Sequence, residues 1–157
     1  MTFASTVPLP SQEIPMRFMI IRKADAETEG EAGTVPPEEL IAAMGRYNEE
    51  LVKAGAMLDG AGLHPSVHGA RVSFRNGKPT VIDGPFTEAK ELIAGFTMIQ
   101  AKSLEEAIEW ARRWPVLDGG GNVQLELRQV YELDEFGDGE AMKRMREEVF
   151  DKLPPKG

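Results

Sequence analysis

Apolar residues fall at Met16, Phe18 and Ile20, followed at once by Ile21, and the charged stretch from Arg22 to Glu31 ends the run. Its length and its period of two predict a first strand. The period then lengthens. Leu40, Met44, Tyr47 and Leu51, joined by Val52, recur at intervals of three and four and form one stripe of an amphipathic helix. Thr34 is placed to cap this helix, with Pro36, Pro37, Glu38 and Glu39 in its early positions. Prolines cost little there, and carboxylates meet the positive end of the dipole. Gly55 stands where a left-handed terminator belongs.

Ala56 to Leu58, a glycine-rich stretch with Gly60, Gly62, His64, Pro65 and Ser66, and then Ala70, Val72 and Phe74 alternating with Arg71, Ser73 and Arg75 predict one second strand with an interrupted, bent middle. Asn76-Gly77 is a tight-turn signal, and Pro79 to Ile82 completes a hairpin. The segment Glu91 to Ala101 carries Ile93, Phe96, Met98 and Ile99, suited to a central strand despite Gly95. Ser103 with Glu106 makes a capping box for a second helix, with Leu104, Ala107, Ile108 and Ala111 inward and Pro115 closing it.

Gly119 to Gly121 read as a flexible loop, and Val123, Leu125, Leu127 and Val130 mark a half-buried last strand within Asn122 to Leu133. The order is β, α, β, β, β, α, β, an α+β fold. Past Gly137, Met142, Met145, Val149 and Leu153 share one helical face, predicting a C-terminal helix over 138–153 that docks on the body or on a neighbouring subunit. Residues 1–15, with Pro8, Pro10 and Pro15 among small polar residues, read as a disordered arm.

A length of 157 residues fits one domain. The absence of cysteine removes disulfides, thiolate metal sites and cysteine nucleophiles. A net charge of −8 opposes binding to nucleic acid or to an anionic membrane. No apolar run reaches the roughly 20 residues of a membrane helix, and the N-terminus lacks the basic start of a leader, so a cytoplasmic location is expected. Phosphate loop, nucleophile elbow and dinucleotide fingerprint are all missing, and two histidines without a ligand spacing predict neither metal nor cofactor.

Candidate chemistry gathers in Asp83-Gly84-Pro85-Phe86-Thr87-Glu88-Ala89-Lys90-Glu91. Gly84 and Pro85 constrain the backbone between two strands and so place Asp83 and Phe86. Asp83 and His64 are the candidate catalytic pair, a carboxylate holding an imidazole that acts as general base on a small organic acid or lactone. Gly84, Pro85, Phe86 and Lys90 are the candidate ligand contacts. The plainer alternative has Asp83 capping its own loop, His64 on the surface and Phe86 as a core plug. Trp110 and Trp114, four apart, suit packing or an interface.

This segment resembles the DGPF signature of the YCII-related family. Gly62-Leu63-His64-Pro65, the run Glu49 to Gly55 and the run Glu105 to Ala111 are similar to further blocks of it, so the likeness covers about Met16 to Leu133 and defines a domain over 16–134. It implies a ferredoxin-like subunit pairing into a dimeric α+β barrel, with a cleft between sheet and loops. Pairing also suits an open antiparallel sheet with a face and edges to hide. Better-studied relatives resemble a His-Asp pair on the first helix and after the second; this chain has Met44 and Trp114 there. The implied function is that of a small-molecule enzyme or binder acting as a homodimer. The other implied reading, drawn from the family's association with extracytoplasmic-function sigma factors, is a regulatory module with a sigma-factor partner.

Overall fold

A computed structural model describes residues 14–30 and 35–155. The first strand, β1 (Met16–Lys23), puts Phe18, Ile20 and Arg22 on the buried face by simple alternation. Helix α1 (Glu38–Lys53) starts only after its two prolines, with Pro37 extended at the flank and its carbonyl accepting the amides of Leu40 and Ile41 at 3.0 and 3.1 Å. The expectation that Pro36 and Pro37 lie in the first turn is corrected. A residue that precedes proline is pushed out of the helical region, so Pro37 keeps Pro36 out of the helix and itself takes the capping position. The expected cap Thr34 lies outside the described residues.

The α1 terminus is as expected. Gly55 has φ +71, its amide bonds Val52 at 2.9 Å, and the Ala56 amide reaches back to Leu51 at 2.8 Å, a Schellman closure. Tyr47 and Leu51 are buried, whereas Val52 is exposed, so the stripe is narrower than its sequence suggests.

The expected bent second strand is two strands. β2 (Met57–Gly62) belongs to the main sheet, and β3 (Ala70–Arg75) pairs only with β4 (Lys78–Asp83) in a separate two-stranded ribbon. Between them Pro65 and a 3-10 turn, Ser66–His68, swing the chain off the sheet. Asn76 and Gly77 take φ +51 and +78, the pair of left-handed conformations a two-residue I′ hairpin requires.

A 3-10 turn at Ala89–Glu91 delays β5 (Ile93–Ala101) by two residues. Helix α2 (Leu104–Arg112) begins at Ser103, whose hydroxyl accepts the Glu106 amide at 3.1 Å. The Glu106 carboxylate returns to the Lys102 amide at 3.3 Å rather than to Ser103, so only half of the expected box forms. Ala107 and Ala111 seat α2 on the sheet, and Leu104 at the first helical position is exposed, contrary to expectation. β6 (Leu125–Gln129) is the shortened last strand, followed by a 3-10 turn, Leu133–Phe136, and helix α3 (Glu140–Glu148).

The main sheet runs β2-β5-β1-β6, antiparallel throughout. The fold is mixed α+β. Phe18, Ile20, Ile99 and Ala101 pack against Tyr47, Leu51, Ala107 and Ala111 to form the core. On the opposite face the register sets Met19 beside Met98 and Ile21 beside Phe96, all half-buried. No described helix is long and apolar enough to cross a membrane.

Candidate functional site

Two loops meet at the root of the β3–β4 ribbon. The turn at Ser66–His68 precedes β3, and the Asp83-Gly84-Pro85-Phe86 segment follows β4. Because Ala70 pairs with Asp83, both loops start from the same end of the hairpin. The Gly84 amide donates to the Gly69 carbonyl at 3.0 Å, and the Phe86 amide donates to Ser66 Oγ at 3.0 Å. Ser66 is itself anchored: its hydroxyl donates to Glu29 Oε2 at 2.5 Å and its amide to Glu29 Oε1 at 3.0 Å. Glu29 thus ties the segment after β1 to both loops through one serine.

Gly84 is required here by space. A Cβ at that position would fall 1.7 Å from the Ser66 carbonyl oxygen. The Gly84-Pro85 peptide is cis, and the Arg71 guanidinium lies 3.9 Å from the centroid of the Phe86 ring. Phe86 is therefore half-buried beneath an arginine at the ribbon's base.

His64 and Asp83 are both exposed on these adjoining loops, with no hydrogen bond joining them among the described residues. His64 has a different neighbour, the His68 ring, edge-on with centroids 5.4 Å apart. Among the described residues the Asp83 carboxylate accepts no hydrogen bond; the loop amides are satisfied instead by Gly69 and by the Ser66 hydroxyl. Lys90 is exposed in the 3-10 turn ahead of β5. No group of three or more His, Cys, Asp or Glu able to hold a metal occurs among the described residues.

A second polar cluster escaped sequence reasoning. Arg22 enters the buried face at the end of β1 and is held by Asp118 in a bidentate pair, Nε to Oδ2 at 3.1 Å and Nη2 to Oδ1 at 2.7 Å. Its Nη1 donates to Asp25 at 2.9 Å and to the Lys23 carbonyl at 2.8 Å. Trp114 Nε1 donates to Asp118 Oδ2 at 2.8 Å, so the tryptophan four residues earlier serves the aspartate. Asp25 also caps the Thr28 amide at 2.8 Å.

Burial alone would raise the Asp118 carboxyl, but the hydrogen bonds from Arg22 and Trp114 and the Arg22 charge hold it below its ordinary value. Asp25 is likewise lowered: burial is outweighed by the Thr28 amide and Arg22. Arg22 is raised, chiefly by its hydrogen bond to Asp118. The alternation Phe18, Ile20, Arg22 was the available signal, because a cation on a core face demands a carboxylate.

A cleft of about 320 Å³ lies between α1 and the segment after α2, with Arg46, Tyr47, Glu50, Arg113, Val116 and Leu117 in its walls. Tyr47 donates to the Trp110 carbonyl at 2.7 Å, and burial pushes its phenol up to about 12. Arg113 pairs with Glu50 and lies over the Trp110 ring. None of the residues anticipated for catalysis lines this cleft.

Against known proteins, the chain is 35% identical over 75 residues to an uncharacterized protein of Rhizobium meliloti (strain 1021), a match spanning 48% of this chain and 60% of the relative. The model of the YCII-related domain matches residues 16–133, from the first residue of β1 to the turn that follows β6. The braced Asp83-Gly84-Pro85-Phe86 loop and the βαβ units around it all fall within those bounds, and the chain belongs to the YCII-related domain family.

Proposed function

We propose that the chain is a ferredoxin-like subunit of a homodimeric α+β barrel that binds a small organic acid or lactone beside the Asp83 loop. Asp83 accepts a hydrogen bond from a hydroxyl or amino group of that ligand in this reading, and His64, partnered by His68, is the base or the hydrogen-bond donor to its acid group. The observation that carries it is the Asp83 carboxylate: exposed, free of internal hydrogen bonds among the described residues, and mounted on a loop braced by Ser66 and Gly69. A carboxylate that merely capped its own turn would accept the loop amides, and here other groups take them. Rigid placement of an unengaged polar group is what a binding site needs.

The test is a thermal-shift screen of wild type and Asp83→Asn against small carboxylic acids, lactones and amino-acid derivatives. A ligand at 100 times its Kd adds about 2.7 kcal/mol and raises Tm by a few degrees. Wild type is expected to respond, and Asp83→Asn to melt like wild type while losing the response. Equal stabilisation of both proteins would remove Asp83 from the site.

A second reading, a regulatory module that docks a protein partner such as a sigma factor, draws on α3 and the turn after it. Met145, Val149, Phe150 and Leu153 are exposed there on an otherwise charged segment. Recovery of a sigma factor by wild type, lost in Met145→Lys, supports that reading; recovery unchanged by the substitution counts against it.

A further inference from the structure

Every residue of β3 and β4 is exposed. The register divides the ribbon into two unlike faces. Ala70, Val72 and Phe74 lie across from Asp83, Val81 and Pro79 on one side; Arg71, Ser73 and Arg75 lie across from Ile82, Thr80 and Lys78 on the other. The first side is almost wholly apolar, and it is open: Phe74 is 70% and Val81 65% exposed. On the second side Arg71 leans on Phe86 at the base, which turns that side toward the ribbon's own loop and leaves the apolar side uncovered. A two-stranded hairpin is marginal by itself in water, and laying its apolar face on another surface stabilises it.

The tip carries a second unmet demand. Arg75 and Lys78 are directly opposite, like charges that repel, and neither has an ion-pair partner among the described residues. The ribbon, residues 70–83, contains Arg71, Arg75 and Lys78 against the single carboxylate of Asp83 at its root; with −8 overall, its net +2 leaves the rest of the chain at −10. The ribbon is thus complementary in charge to the remainder of its own molecule.

Charge points to a second copy, and size shows that the ribbon needs a surface beside it. Six residues at about 3.3 Å each, on two strands, give a ribbon face of about 200 Å². A stable complex buries about 800 Å² per partner, so the ribbon cannot hold a partner unaided. It needs an adjoining surface, and one is present. The ribbon is rooted between β2 and β5, neighbours in the main sheet whose open face carries Met19, Ile21, Phe96 and Met98. A two-fold axis through that face would pair it with itself.

We propose that the β3–β4 hairpin is an arm that reaches onto a second copy of the chain, laying Val72, Phe74 and Val81 on the partner and setting Arg75 and Lys78 against its acidic surface. The inference rests on the dimeric reading above and adds the contact that extends it.

The absence of cysteine makes the test direct. Thr80→Cys, on the ribbon's other side, is labelled with a nitroxide and mixed with an equal amount of unlabelled, ¹⁵N-enriched wild type, and the oligomeric state is read by sedimentation. Intermolecular broadening of ¹⁵N-wild-type amides outside the ribbon, with Phe74→Glu raising the dimer Kd by about tenfold or more, is the result expected. A dimer without that broadening overturns the arm and leaves the dimer standing. A monomer at NMR concentrations overturns both. Phe74 is exposed, so Phe74→Glu is expected to keep the wild-type amide spectrum of the main sheet, and it reports on association without unfolding the chain.

Discussion

Two residues show how different constraints enforce identity. At Gly84 the constraint is distance: the loop backbone passes so near Ser66 that a methyl group would overlap its carbonyl, at 1.7 Å from the oxygen. Gly84→Ala is expected to cost about 2–3 kcal/mol, read by urea denaturation, because the Ser66 and Asp83 loops must part. At Asp118 the constraint is charge. Removing its negative charge strands Arg22 with Asp25 alone, and Asp118→Asn is expected to lose about 3 kcal/mol near neutral pH. The folded pKa values of Asp118 and Asp25 lie below the ordinary 3.8, so their contribution is complete above that pH and disappears as pH falls through the depressed values. The gap between wild type and Asp118→Asn should therefore narrow on acidification below 3.8; a constant gap would mean that packing, not charge, sets the loss. Gly84 stood out in the sequence as part of a Gly-Pro pair. Asp118 did not, since its partner lies 96 residues away.

Elements were legible where their signals are local. Alternation gave β1, the three-four spacing gave α1, and Asn76-Gly77 gave the hairpin turn, each decided within a few residues. The split of β2 from β3 was not legible, because it depends on Ser66 being held by Glu29, 37 residues earlier, and on the chain leaving the sheet at Pro65. The narrow seat of α2 was hidden for a similar reason: small Ala107 and Ala111 carry the contact, while the larger Leu104 stays in solvent. The cap of α2 is local again. Ser103→Ala removes the acceptor of the Glu106 amide and is expected to cost about 1 kcal/mol, whereas Ser66→Ala should loosen the Asp83 loop as well, since Ser66 serves Glu29 and Phe86 together. Hydrogen exchange separates the two: the Phe86 amide should lose protection in Ser66→Ala and keep it in Ser103→Ala.

For the whole molecule, the question is what covers the second face of the sheet. One face is sealed by α1 and α2; the other presents Met19, Ile21, Phe96 and Met98, with Glu126 and Arg128 of β6 flanking them in register. An apolar centre with a polar margin is the composition of an association surface, and these four side chains are only half-buried within one chain. If the face pairs with its own copy, Phe96→Lys buries two new cations per dimer, since a two-fold interface counts every substitution twice. At about 2 kcal/mol for each lost anchor, the sum is about 4 kcal/mol, close to a thousandfold in Kd. Sedimentation equilibrium should then find wild type dimeric and Phe96→Lys monomeric at the same concentration, with matching far-UV circular dichroism. A wild type that sediments as a monomer would instead remove the pairing of this face with its own copy, and the Asp83 loop would have to form its site within one subunit.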